Sequence, residues 1–307
     1  MKRLIDDVLD PANLRLAWEE VAANQGMPGV DGVSVARWNR NWEERLVSLA
    51  ADVRANCYRP ARLRVRRIPK RRRGEWRVLR IPTLTDRVIQ RATYHVLADL
   101  YEPVFLDCSF GYRRGRGLRE AVQRVLTLRE CGRKWVLDAD IDAFFDRVDH
   151  HILLELLRLR VDDPIAIRLV EGWLAAGRTR PNDTNGIPMG SPISPLLANV
   201  YLHSLDCGLV EAGWSPIRYA DDFVVLAYDR AGAQQARDQG ERILANLKLN
   251  YEPAKTAITS FERGFDFLGV RFHRDRYSYL WQEKTVGVEG PFVDPLFSDY
   301  GPRYEDG

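Results

Sequence analysis

The sequence predicts an α+β fold in which an antiparallel sheet packs on helices. Three observations carry this. Several stretches repeat apolar residues at helical spacing, among them 85–101 and 231–247. Others alternate with period two, as Arg62-Leu63-Arg64-Val65 and Trp76-Arg77-Val78 do. The apolar run over 217–226 is interrupted by two adjacent carboxylates, Asp221 and Asp222, where a buried hairpin would turn.

Taken in order, residues 4–24 read as a helix, with Leu4, Val8, Leu9, Leu14, Leu16, Ala17 and Val21 roughly in phase and Pro11 breaking the early part. Asn24 to Gly32 is a turn-rich loop. A second helix from Ser34 to Asn56 carries Trp38, Trp42, Leu46, Leu49 and Val53. Residues 62–70 and 76–81 form a half-buried hairpin with a cationic face. So many like charges on one face repel unless an anion lies against them; the other reading is a solvated Arg-rich hairpin. A helix over 85–101 turns Val88, Ile89, Ala92, Val96, Leu97 and Leu100 inward. The Gly- and Arg-rich loop Ser109–Gly117 suits phosphate, and leads into a helix over 118–129.

A strand over 134–141 carries carboxylates at its end. Asp149 is read as the N-cap of a helix from His150 to Leu159, with His150 and His151 in its polar first turn. Ser194 as N-cap and Pro195 at the first helical position start another, burying Leu196, Leu197, Val200, Tyr201, Leu205 and Leu209. After the Asp-Asp hairpin come the 231–247 helix, a turn over 249–258 that becomes a strand, and a strand over 265–272. The Tyr-, Pro- and Gly-rich tail has no assignment.

The chain has 307 residues and a net charge of only +3, but the charge is uneven. Arginines crowd 59–91 and acids gather after 283, which suggests a polyanionic partner for one part of the surface. Four cysteines without paired spacing offer neither a zinc site nor a disulfide framework, as expected in a reducing cytoplasm. No signal peptide and no apolar run of membrane-spanning length is visible.

The Asp-Asp pair has two readings, a solvated hairpin tip or a magnesium site on a rigid hairpin. If the strand ending in Asp140 lies beside the hairpin, the carboxylates converge. Two divalent ions there would clamp the oxygens of an in-line phosphoryl displacement. The arginines of the first hairpin and of Arg113–Arg116 add cations for nucleotides or nucleic acid.

With these residues in view, the sequence resembles prokaryotic group II intron-type reverse transcriptases from about Asn24 to Phe272. Gly29-Val30-Asp31-Gly32 is similar to their N-terminal extension motif. Ile68-Pro69-Lys70 through Ile81-Pro82-Thr83, and Ser109-Phe110-Gly111-Tyr112-Arg113, resemble the two fingers motifs. Asp140-Ile141-Asp142-Ala143-Phe144-Phe145, Gly190 to Asn199, Tyr219-Ala220-Asp221-Asp222, Glu252-Pro253-Ala254-Lys255-Thr256 and Phe267-Leu268-Gly269 follow in the family's order. A single box is a weak signal; the ordered series is a strong one.

The resemblance implies a right-hand polymerase with fingers and palm and a short or absent thumb. Residues 1–60 would be a helical extension, 61–133 the fingers with 160–190 adjoining, 134–272 the palm, and 273–307 a tail or rudimentary thumb. It implies Asp140, Asp221 and Asp222 as catalytic metal ligands for magnesium, or manganese in its place, with the Ile141 carbonyl assisting. Lys70 and Arg77 would hold the triphosphate, and Phe145 would exclude a ribose 2′-hydroxyl. Lys255 has two readings: it protonates or neutralises the leaving pyrophosphate, or it makes a surface salt bridge. Arg113, Arg116, Phe267, Leu268 and Gly269 would lie near primer or template. Trp76 is either a stacking platform for a template base or a core residue.

Two departures stand out. Met189 occupies the position where the family usually has a Gln that contacts the nucleotide, and Met cannot donate that hydrogen bond. Only a short tail follows Phe272, where intron proteins continue into maturase and endonuclease regions, so the expectation is a stand-alone relative or one whose partner supplies a thumb or an integration function. The implied activity is RNA-directed DNA synthesis from a DNA or RNA primer, in CRISPR spacer acquisition or phage defence. Untemplated or protein-primed synthesis and a non-catalytic nucleic-acid-binding subunit are the other readings.

Overall fold

The computed structural model describes residues 3–69, 76–178, 180 and 182–280. The predicted α+β class is found. The N-terminal helix is two: α1 (Leu4–Val8) and α2 (Pro11–Ala23). Asp10 caps α2 and Pro11 occupies its first turn, where a missing N–H costs nothing. The second predicted helix is also interrupted. It begins with α3 (Val35–Trp38), capped by Ser34, and resumes after a 3₁₀ turn as α4 (Trp42–Arg54).

Strands β1 (Arg64–Pro69) and β2 (Trp76–Ile81) form the expected antiparallel hairpin. Its cations do not keep to one face. The Arg66-Arg67 doublet breaks the alternation, so the register puts Arg64, Arg66 and Arg77 on one face and Arg67 and Arg80 on the other. Nor is it half-buried along β1: every residue of that strand is exposed, Val65 included. Trp76 is 56 % exposed, which excludes the core role.

Next come α5 (Leu84–Tyr101), capped by Thr83, and α6 (Leu118–Glu130). After them follow β3 (Trp135–Asp140), α7 (Phe144–Arg147) and α8 (His150–Arg158). Asp149 caps α8 as expected, accepting from the amides of His151 and Ile152. Helix α9 (Pro164–Ala176) was not anticipated. Its signal is Asp163-Pro164, a cap followed by Pro in the first turn. Asp163 also accepts from the Ile5 amide at 2.9 Å, tying the N-terminus to α9.

Helix α10 (Ser194–Glu211) buries all six residues predicted for it. Its N-cap is Ile193 rather than Ser194, whose hydroxyl donates instead to the Pro188 carbonyl at 2.8 Å. The chain continues through β4 (Ser215–Tyr219), β5 (Asp222–Ala227), α11 (Arg230–Asn246) and β6 (Ala257–Ser260). The predicted strand over 265–272 is a hairpin. Leu268 and Gly269, both at positive φ, turn β7 (Phe265–Phe267) into β8 (Val270–His273), and β9 (Arg276–Tyr279) pairs beyond.

The central sheet has the order β4-β5-β3-β6, antiparallel throughout. Both faces are covered, which explains why Phe223–Leu226 is apolar without alternation. Leu137, Ala139, Phe223 and Val225 join the main core with α10 and α11. Val136, Val224 and Leu226 join a second core with α6 and β7–β9. Asp138, Asp140 and Asp222 share the face of this second core, by strand alternation. No helix among the described residues is long and apolar enough to cross a membrane, and all four cysteines are free.

Candidate active site

Asp140 ends β3 and Asp222 begins β5, and the two are direct cross-strand partners. The β4–β5 turn is therefore Ala220-Asp221, not Asp221-Asp222: Asp222 already belongs to the ladder, opposite Tyr219. Ala220 takes φ 60°, a conformation glycine adopts more readily. Gly111 lies against this turn. A Cβ there would stand 2.5 Å from the Ala220 amide nitrogen. Gly111→Ala is expected to destabilise the protein by about 1–3 kcal/mol, as overpacking does, measured by chemical denaturation. An unchanged midpoint would mean the turn moves freely.

The carboxylates repel one another in a half-buried place. Burial, then Asp138, Asp140 and Asp221, push the Asp222 carboxyl up to about 8. Burial first, and Asp140 after it, also raise Asp221, against the opposing pull of Lys255 and Arg77. Asp138, beneath them on β3, is pushed up to about 7 by burial, Asp266 and Asp140. Lys255 forms an ion pair with Asp140. The loop that carries it is strapped to β3 by the Glu252 amide, which donates to the Asp140 carbonyl at 2.8 Å. The surface-salt-bridge reading of Lys255 thus acquires a partner inside the site.

The bridge between Ile141 and Tyr251 is made by the neighbouring groups of Asp140, Asp142, Asn250 and Glu252. This directs the carbonyl of Ile141 to the opposite edge, toward β5. The carboxylates of Asp140, Asp221 and Asp222 and the Ile141 carbonyl are oxygen donors of the kind a hard divalent cation takes, and the repulsion among the carboxylates is what such a cation relieves. By donor type the residues fit such a cation. Among the described residues no group of three or more His, Cys, Asp or Glu side chains is drawn together closely enough to hold a metal ion.

Arg77 is exposed on β2 and near enough to act on Asp221. Lys70 lies outside the described residues. Phe145 is half-buried, its ring 5.3 Å from that of Phe144 and nearly perpendicular to it. Its carbonyl accepts from the Ile187 amide at 2.7 Å. Met189 is half-buried, and its carbonyl accepts from the Arg80 amide at 2.8 Å, which fastens this loop to the β1–β2 hairpin.

Two sequence expectations, for Arg113 and Phe267, need correction, and Arg116 acquires a partner on the surface. Arg113 is buried, with all five guanidinium hydrogens engaged by Glu102, Leu106 and Ser109. No donor remains for primer or template. Arg116 is paired with Asp107, and Arg114 with Asp99, so the loop's cations meet acids of their own neighbourhood. Phe267 is 1 % exposed in the second core, so only the turn residues Leu268 and Gly269 of that motif reach the surface. Sequence reading also missed Arg218 and Asp206, both 1 % exposed and ion-paired at 2.6 Å directly behind the turn. The signal was an arginine inside an otherwise apolar strand, because a buried charge requires a partner.

The family model for reverse transcriptase (RNA-dependent DNA polymerase) matches residues 68–272. The chain is 30 % identical to protein YkfC of Escherichia coli (strain K12), over 91 % of this chain and 85 % of that protein. It is 33 % identical to the group II intron-encoded protein LtrA of Lactococcus lactis subsp. cremoris, over 66 % of this chain but 34 % of LtrA. A telomerase from Candida albicans, solved with a fragment of telomeric RNA, aligns with a TM-score of 0.54 over 84 % of this chain and 52 % of that one. At 14 % identity that likeness shows the fold alone.

Proposed function

The chain belongs to the reverse transcriptase family of RNA-dependent DNA polymerases, and from that premise we propose that it extends a primer with deoxynucleotides, taking its sequence from an RNA template. The observation that carries this reading is the β3–β5 register, which sets Asp140 beside Asp222 with Asp221 in the adjoining turn. Reverse transcriptases generally use divalent metal ions. Magnesium is assigned here, with manganese as a substitute, held by Asp140, Asp221, Asp222 and the Ile141 carbonyl. Bound there, it would offset the charge that develops on the attacking and leaving oxygens.

The chain's own residues supply alignment, which phosphoryl transfer needs more than covalent chemistry. Arg77 and Lys70 bind the triphosphate. Phe145 sits under the sugar, Met189 lines the nucleotide's loop, and the Leu268-Gly269 turn supports the primer end. In this reading 1–60 form a helical extension, 61–133 with 160–190 the fingers, and 134–272 the palm.

Lys255 takes a second task, giving a proton to the leaving pyrophosphate. Lys255→Ala is then expected to lower kcat about 100-fold, the scale of general acid catalysis, with little change in KM. A kcat within about threefold of wild type would leave Lys255 as a counter-ion to Asp140 alone.

Primer extension on poly(rA) with an oligo(dT) primer, magnesium and dTTP tests the whole reading, beside a tube without template. Extension confined to the templated tube is expected. Equal extension in both would favour untemplated synthesis, and none in either would favour a binding role.

A further inference from the structure

Arg218 lies on β4, three residues before Asp221, and is 1 % exposed. Its backbone is fixed by the segment before the Gly- and Arg-rich loop. The Arg218 amide donates to the Cys108 carbonyl at 2.8 Å, and its carbonyl accepts from the Phe110 amide at 2.9 Å. The guanidinium is engaged at every hydrogen. Nε and Nη2 donate to the two oxygens of Asp206 at 2.7 and 2.6 Å. Nη2 also donates to the Ser109 hydroxyl at 2.8 Å. Nη1 donates to the Asn199 side-chain oxygen and to the Ala220 carbonyl, both at 2.9 Å.

The Ala220 carbonyl belongs to the turn that carries Asp221, and the residue owning it holds the less favoured positive φ. From the other side, Gly111 presses on the Ala220 amide, and the Asn199 amide group donates to the Gly111 carbonyl at 2.9 Å. Asp206 and Asn199 both project from α10. The helix therefore orients the guanidinium, and the guanidinium grips the turn. The Arg218–Asp206 ion pair by itself is not required for stability, because a buried ion pair is often replaced by apolar residues of similar volume without loss. An apolar pair cannot hold a carbonyl.

We propose that Arg218 is a positioning residue for the catalytic turn: oriented by Asp206 and Asn199, it fixes the Ala220 peptide and so sets where Asp221 stands relative to Asp140. This rests on the polymerase reading above. Arg218 touches no reacting atom and acts through the turn.

The test compares wild type with the apolar swap Arg218→Met plus Asp206→Leu, and with Arg218→Lys. Lysine keeps the charge toward Asp206 but lacks the planar fork that also reaches Ala220. Three quantities are read: the melting temperature, kcat and KM for dTTP, and Mn²⁺ affinity of the protein without nucleic acid. The swap is expected to fold but to melt below wild type, because the Asn199, Ala220 and Ser109 oxygens lose their donor. Its kcat and Mn²⁺ affinity should each fall roughly 10- to 100-fold, the usual cost of losing the group that orients a ligand, with KM unchanged. Arg218→Lys should show the same loss of kcat. A folded swap with wild-type kcat and Mn²⁺ affinity would overturn the proposal, as would full activity in Arg218→Lys. If the swap fails to fold, Arg218→Lys decides. If wild type makes no DNA, the polymerase reading fails, and the Mn²⁺ affinities still test the positioning role.

Discussion

Replacing Asp221 and Asp222 together by Asn abolishes primer extension, raises the melting temperature of the metal-free protein, and leaves RNA binding largely intact. The loss of synthesis follows from removing two of the three carboxylates that would hold the catalytic ion. RNA binding persists because affinity for the phosphate backbone comes from cations elsewhere on the surface. The gain in stability follows from burial and like charge, which push Asp222 up to about 8 and raise Asp221 as well. The sign is fixed by linkage. A carboxyl whose folded-state value lies above its unfolded one is at no disadvantage below the unfolded value. It costs stability progressively as the pH rises through the folded value. Between about pH 4 and pH 8 the wild-type, metal-free protein should therefore lose stability that the Asn variant keeps. Thermal melts of both proteins across that range, in chelator, check this. Parallel slopes would mean that the carboxylates are better solvated than their place in the sheet implies.

Phe145→Ala opens the site to ribonucleotides. The ring is half-buried, edge-on to Phe144, with its backbone pinned by the Ile187 amide, so it presents a fixed surface rather than a mobile one. Steric exclusion by a rigid ring discriminates by about 1–3 kcal/mol, or roughly 10- to 200-fold. The ratio of kcat/KM for dTTP to that for UTP should fall by that factor in the variant. A ratio equal to that of wild type would remove Phe145 from the sugar's path.

Much of the candidate site was legible because charges are conspicuous in apolar runs. Asp221 and Asp222 interrupt a strand buried on both faces, and Asp140 ends another. What the sequence concealed was register. Nothing in Tyr219-Ala220-Asp221-Asp222 says that the turn is Ala220-Asp221, because Ala is not a residue that advertises positive φ. The same blindness merged β7 and β8, since Leu268 looks like a strand residue. Arg113 misled for a different reason. In sequence an arginine beside glycines suggests phosphate, whereas in the fold Glu102, eleven residues earlier, is already its partner. Arg218 was passed over because its partners, Asp206 and Asn199, come from α10 and meet it only in three dimensions. The outer hairpin was easy to find and hard to orient, because a doublet of arginines defeats a period-two reading.

The most direct test of the central claim is dTTP incorporation on poly(rA) with an oligo(dT) primer, by wild type and by the single variant Asp222→Asn in the same magnesium buffer. Wild type is expected to incorporate dTTP in a template-dependent manner, and the variant to fall by a factor of about 100 or more while remaining folded and bound to the primer–template. Incorporation by Asp222→Asn at the wild-type rate would contradict the assignment of this sheet end as the catalytic centre.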